Sequence, residues 1–141
     1  MTIEPRFQAY KACLESLTGS TIEALDIHLA DDVRFRDPFH DIAGKTAMKQ
    51  AFARLFAAAT DISFFIDDHA AAANRIYFHW RLSAILRGRA WQVQGVTKVV
   101  FNQAGKVSSH EEYWDAATQL YERMPVIGPL LRYVRRRIAG P

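Results

Sequence analysis

Residues 74–101, NRIYFHWRLSAILRGRAWQVQGVTKVVF, constrain the fold more than any other stretch of the chain. Two alternating runs meet at Arg87-Gly88-Arg89. In the first, Ile76, Phe78, Trp80, Leu82 and Ala84 share one face, and Tyr77, His79, Arg81 and Ser83 share the other. In the second, Trp91, Val93, Gly95, Thr97, Val99 and Phe101 share a face. A period of two marks a strand, and two such runs joined by a glycine turn predict a β-hairpin. Strands this long, with one face this apolar, need a cover along their whole length.

The N-terminal part of the chain supplies candidates for that cover. Phe7, Tyr10, Cys13 or Leu14, and Leu17 fall at helical spacing over residues 6–17. Ser20 or Thr21 is placed to cap a second helix over IEALDIHL. A third helix is expected from Lys45, with Met48, Phe52, Leu55 or Phe56, and Ala59 as its buried stripe. Between them VRFRD alternates, with Val33, Phe35 and Asp37 on one face, and Pro38 ends the run. DISFFID reads as a further strand, and VSSHEEYWD as the last. That last strand puts Ser108, His110, Glu112 and Trp114 on one side and Val107, Glu111 and Tyr113 on the other. Residues 116–141 read as a helical extension in two pieces, separated by Pro125 to Pro129. Helices first and strands after predict an α+β domain whose antiparallel sheet curves around three N-terminal helices to leave an interior cavity.

Half of the 141 residues are hydrophobic and 23% are charged, enough for one cored domain. No apolar run spans a bilayer, and the N-terminus lacks the pattern of a signal peptide. With a single cysteine, Cys13, no internal disulfide forms, and a cytoplasmic location is expected. His28, His40, His69, His79 and His110 make no helical pair and no H-x-H, so no metal site is expected. Nucleotide-binding glycine motifs and the G-x-S-x-G of serine hydrolases do not occur, and no cofactor is expected. The net charge of +3 gathers in RYVRRR near the end rather than across the domain, which argues against a nucleic-acid partner. Leu130, Leu131, Val134 and Ile138 form a stripe between those arginines. A helix packed on the body or across a dimer is preferred to one resting on an anionic membrane surface.

LADDVRFRDPFHDIAG at 29–44, the hairpin glycine Gly88, VVFNQAGKV at 99–107 and HEEYWD at 110–115 together resemble the NTF2-like superfamily. Within it the resemblance is to SnoaL-like and ketosteroid-isomerase-like proteins. It implies a cone-shaped α+β fold and a homodimer paired through the outer sheet face that carries Tyr77, His79, Val96 and Val100. It also implies that Asp37 is a general base and that Trp114 lines the pocket. The proton-donating aspartate of the steroid isomerases falls on Thr97, and their donor tyrosine falls near Cys13, one turn from Tyr10. The base is matched and the donors that would oppose it are not. Loss of one such preorganised donor costs roughly 10²–10³ in rate.

The inward faces read from alternation hold three ionisable groups, Asp37, His110 and Glu112, in an apolar wall of Phe35, Trp80, Leu82, Thr97, Val99 and Trp114. Burial disfavours a charged carboxylate and suits it to proton transfer, and a neighbouring His110 could hold that proton. Asp37 before Pro38 also reads as a turn-former accepting backbone amides, a role compatible with that of a base. His110 also reads as a satisfied core histidine, and Glu112 as an ion-pair partner at the cavity mouth. The expected function is binding of a small apolar molecule, with isomerase or cyclase chemistry from Asp37 and His110. The alternatives are a non-catalytic binding module, or epoxide opening by Asp37, Glu112 and an arginine.

Overall fold

A computed structural model describes residues 2–140. Helix α1 (Ile3–Ser16) buries Ile3, Phe7, Tyr10, Cys13 and Leu14, the stripe its spacing predicts. Strand β1 (Leu29–Arg36) and the short β2 (Asp41–Ala43) lead into helix α2 (Lys45–Ala58). Then come β3 (Ala59–Ala72), β4 (Arg75–Leu86), β5 (Arg89–Phe101) and β6 (Val107–Tyr113). Helices α3 (Ala116–Gln119) and α4 (Ile127–Ala139) follow, with a single 3-10 turn, Tyr121–Arg123, between them.

The six strands form one sheet in the order β2-β1-β6-β5-β4-β3, and α1 and α2 cover its apolar face. The β4–β5 ladder runs without a break from Arg75↔Val100 to Leu86↔Arg89. Its two-residue turn, Arg87-Gly88, has positive φ at both positions, the geometry whose twist matches the strands it joins. The expected α+β fold holds, with one difference in the sheet. β1 pairs with β6 in parallel, so the sheet is mixed rather than wholly antiparallel.

Three expectations change locally. The second helix is only a 3-10 turn, Ile22–Leu25. Its amides bond three residues back rather than four, Ala24 to Thr21, Asp26 to Glu23 and His28 to Leu25. Just past the turn the Asp26, Ile27 and His28 carbonyls accept from Lys45 Nζ, Lys106 Nζ and the Val107 amide. The chain can then turn early into β1, where Leu29 is buried. Two helices and a turn therefore cover the sheet, not three helices. On β6, Val107 faces the core rather than the outside. The pairs Val100↔Ser109 and Phe101↔Val107 leave Ser108 as an extra residue, and this bulge shifts the alternation. Pro129 lies inside the first turn of α4, where a missing amide breaks no helical bond.

The stripe of α4 does not pack on the body: Leu130 is 61% and Ile138 82% exposed. The helix is tied down at its polar side, where Arg135 forms a two-pronged ion pair with Glu122, and Arg132 donates to the Glu122 carbonyl. Among the described residues, no helix is long and apolar enough to cross a membrane.

Candidate functional site

Between the sheet and the two main helices lies a cavity of about 300 Å³. Its wall explains why several apolar residues are only part-buried. Phe52, Leu55 and Phe56 of α2, Phe64 of β3 and Leu82 of β4 pack against the core and face this space. Phe39 and Trp114 stand at the mouth with ring centroids 5.6 Å apart.

Asp37 lines the cavity just beyond the end of β1, with its side chain 12% exposed. Its Oδ1 accepts the Phe39 amide at 2.8 Å and lies 2.8 Å from His40 Nδ1. The backbone closes the same loop, with the Asp37 amide donating to the His40 carbonyl. Turn-former and cavity carboxylate are therefore one residue: Oδ1 builds the turn, and Oδ2 has no protein partner among the described residues.

The parallel pairing of β1 with β6 sets what stands beside Asp37. The ladder pairs Phe35 with His110 and Arg36 with Glu111. The next residues along the two strands are Asp37 and Glu112, so two carboxylates reach the same wall. The Glu112 side chain is 21% exposed, whereas that of His110 is 2% exposed. His110 is enclosed by the rings of Phe35, Phe52, Phe78 and Tyr10. Both ring nitrogens are engaged: Nδ1 lies 2.9 Å from the Tyr10 hydroxyl, and Nε2 lies 3.1 Å from Glu112 Oε1.

The hydrogen-bond network assigns the tautomer. Burial, with the nearby Cys13 and Glu112, pushes the Tyr10 hydroxyl well above its ordinary pKa, so it keeps its proton. The Glu112 carboxylate, which can only accept, takes the Nε2–H of His110. In the neutral ring Nδ1 is then bare and accepts the hydrogen bond of the Tyr10 hydroxyl. In this arrangement His110 orients Glu112, and its inner end is sealed from solvent by Tyr10.

Of the wall residues read from the sequence, Phe35, Trp80, Leu82, Glu112 and Trp114 line the cavity together with Asp37 and His110. Thr97 and Val99 do not. Both are buried behind the wall, where the Thr97 hydroxyl accepts Trp80 Nε1–H at 2.8 Å and so fixes that indole. Gly95 makes room for the wall. A Cβ there would come within 2.7 Å of the Trp80 ring and 2.9 Å of Trp114 Cβ. Trp91 is held by its N–H, which donates to the Gln119 carbonyl at 2.9 Å. Gln119 also bonds both backbone groups of Gln94, covering the length of β5 that β6 leaves unpaired.

Sequence reasoning missed His40, Phe39 and Arg54 as wall residues. The spacing from Asp37 to His40 is a turn signal that could have shown the first. Arg54 sits on the exposed side of α2 and carries no such signal. Cys13, whose thiol is pushed up by burial, is absent from the wall. No group of residues with metal-ligating spacing occurs among the described residues.

The profile of a family described as a SnoaL-like domain matches residues 10–110. No curated protein matches. Solved structures share the fold at low identity. An NTF2-like protein of unknown function from Exiguobacterium sp. 255-15 is 19% identical, with a TM-score of 0.64, over 81% of this chain and 98% of that one. A Mycobacterium tuberculosis epoxide hydrolase described as LEH-like is 16% identical, with a TM-score of 0.68, over 93% and 96%. TerC, co-crystallised with polyporic acid, is 15% identical, with a TM-score of 0.70, over 82% and 93%.

Proposed function

The chain belongs to the SnoaL-like domain family, and from that premise we propose that its cavity binds a small apolar, carbonyl-bearing molecule and moves a proton on it. The observation that carries this reading is the meeting of Asp37 and Glu112 on one side of an otherwise apolar cavity. Asp37 Oδ2 takes a proton from the carbon next to the carbonyl, and the electron pair moves onto the carbonyl oxygen. Where a C=C adjoins that carbon the anion is a dienolate. Return of the proton to the far end of that double bond, as the electron pair comes back from the oxygen, gives the isomer with the C=C conjugated to the carbonyl. Oδ1, fixed by Phe39 and His40, keeps the carboxylate aimed while this happens. Glu112, oriented through His110, stands beside it as a second acceptor. Arg54 is the permanent cation of the described lining and the candidate to polarise the carbonyl.

Deuterium exchange tests the reading. With a small cyclic ketone whose binding quenches tryptophan fluorescence, the wild type in D2O should incorporate deuterium beside the carbonyl. Asp37→Asn should bind the same ketone and lose roughly 10²–10⁴ of that exchange rate. If the two proteins exchange a bound ketone equally fast, Asp37 is not the base. A second reading, a binding module without turnover, is supported by the engagement of the Tyr10 and Thr97 hydroxyls with His110 and Trp80. It predicts an apolar molecule that co-purifies unchanged.

A further inference from the structure

Helix α4 carries four arginines, Arg132, Arg135, Arg136 and Arg137, and no acidic residue. At 100° per residue, Ile127, Leu130, Leu131, Val134 and Ile138 fall in one sector about 100° wide. Arg135 and Arg137 lie on its two shoulders and Arg136 opposite. Ile127, Leu130, Val134 and Ile138 are exposed, and among the described residues nothing of this chain covers them. Arg132 and Arg135 hold the helix to Glu122. Arg136 and Arg137 have no side-chain partner among the described residues.

Three occupants are conceivable for such a face, and charge separates them. A second copy would set the same arginines against these, and Glu122, the acid that faces the helix, is already engaged. A nucleic acid would meet the arginines but leave the apolar stripe in water. An anionic bilayer takes both, with aliphatic side chains among the acyl chains and arginines at the phosphates. We propose that α4 docks this protein on an anionic lipid surface, lying in the plane of the interface. The 3-10 turn that anchors α4 also carries Tyr121, whose ring is 6.2 Å from Phe39 at the cavity mouth. Docking therefore brings the apolar cavity close to lipid. The docking itself does not depend on what chemistry occurs in the cavity.

The test is co-flotation of the full chain with two kinds of vesicle: phosphatidylcholine alone, or mixed with an equal part of phosphatidylglycerol. The chain should float with the mixed vesicles and much less with the neutral ones. Arg136→Gln with Arg137→Gln should weaken that binding roughly thirtyfold, each arginine near an anionic surface contributing about a factor of five. Leu130→Glu with Ile138→Glu should abolish it. Both double variants should keep the wild-type melting midpoint, because these side chains are exposed. The proposal is overturned by no flotation with mixed vesicles, or by flotation indifferent to Leu130→Glu with Ile138→Glu. A dimer that only this apolar pair dissolves would instead assign the face to a second copy. Binding of a duplex oligonucleotide that depends on the arginines but not on the stripe would assign it to a polyanion.

Discussion

Asp37 and Glu112 share a wall but are held by different means. Asp37 is fixed by its own turn, through backbone and His40, so its position is a local property of a few residues. Glu112 depends on a chain of side chains that ends at Tyr10, 100 residues away in sequence from His110. Tyr10→Phe removes the donor to a buried Nδ1 and leaves that nitrogen unpaired. The expected cost is about 1–3 kcal/mol of unfolding free energy, read from urea denaturation. Gly95 is the other residue on which the wall depends. Gly95→Ala puts a methyl against Trp80, Trp114 and the Tyr113 carbonyl at distances real Cβ atoms do not adopt. A loss of about 1–3 kcal/mol is expected, together with a changed near-ultraviolet circular dichroism spectrum as the tryptophans shift.

Among the elements, α4 is the one held by electrostatics rather than by packing. Hydrogen bonds from Arg135 hold the Glu122 carboxyl below its ordinary pKa, and the nearby Arg132 charge acts in the same direction. A carboxyl lowered by folding stabilises the folded arrangement above its unfolded pKa, and that contribution is lost as pH falls through the folded value. Amide exchange of α4 should therefore be slow near neutrality and accelerate as pH falls below the usual glutamate range, after correction for intrinsic rates. Glu122→Gln should show fast exchange at every pH. Protection unchanged by both would mean that α4 is held by something other than this pair. Strand β6 shows a different dependence. Its bulge at Ser108, whose hydroxyl donates to the Val100 carbonyl, restores the inward phase at His110 after Val107 has already faced the core.

The whole molecule is a sheet with two faces of different character. Its inner face is closed by α1 and α2 except at the cavity. Its outer face leaves Phe65, Tyr77, Val96 and Tyr113 substantially exposed. We propose that this outer face pairs two copies of the chain, the homodimer that the family resemblance implies. Light scattering should give twice the chain mass, and Val96→Glu, at the centre of that face, should return it to the monomer mass. A monomeric wild type at micromolar concentration would refute this. The cavity is a property of the same scale. Its wall is drawn from α1, α2, β1, β3, β4, β5 and β6 together, so no single element encloses it.

Alternation and helical spacing determined most of the secondary structure: the β4–β5 hairpin, the buried stripe of α1 and the inward phase of Val33, Phe35 and Asp37. These are local properties, set by the period of the backbone and legible wherever no residue is inserted. The motif around Asp37 and Pro38 likewise located one side of the cavity. Tertiary structure decided the rest. The helix expected at IEALDIHL stops after a single 3-10 turn because Leu29, which would end it, is taken into the sheet beside Val107, whose amide bonds the His28 carbonyl. Thr97 and Val99 share a face with the wall yet lie behind it, because side-chain direction alone does not say how deep a residue sits. The placing of Glu112 beside Asp37 depends on a parallel pairing between strands more than seventy residues apart, and the register of such a pairing appears only when the sheet is assembled.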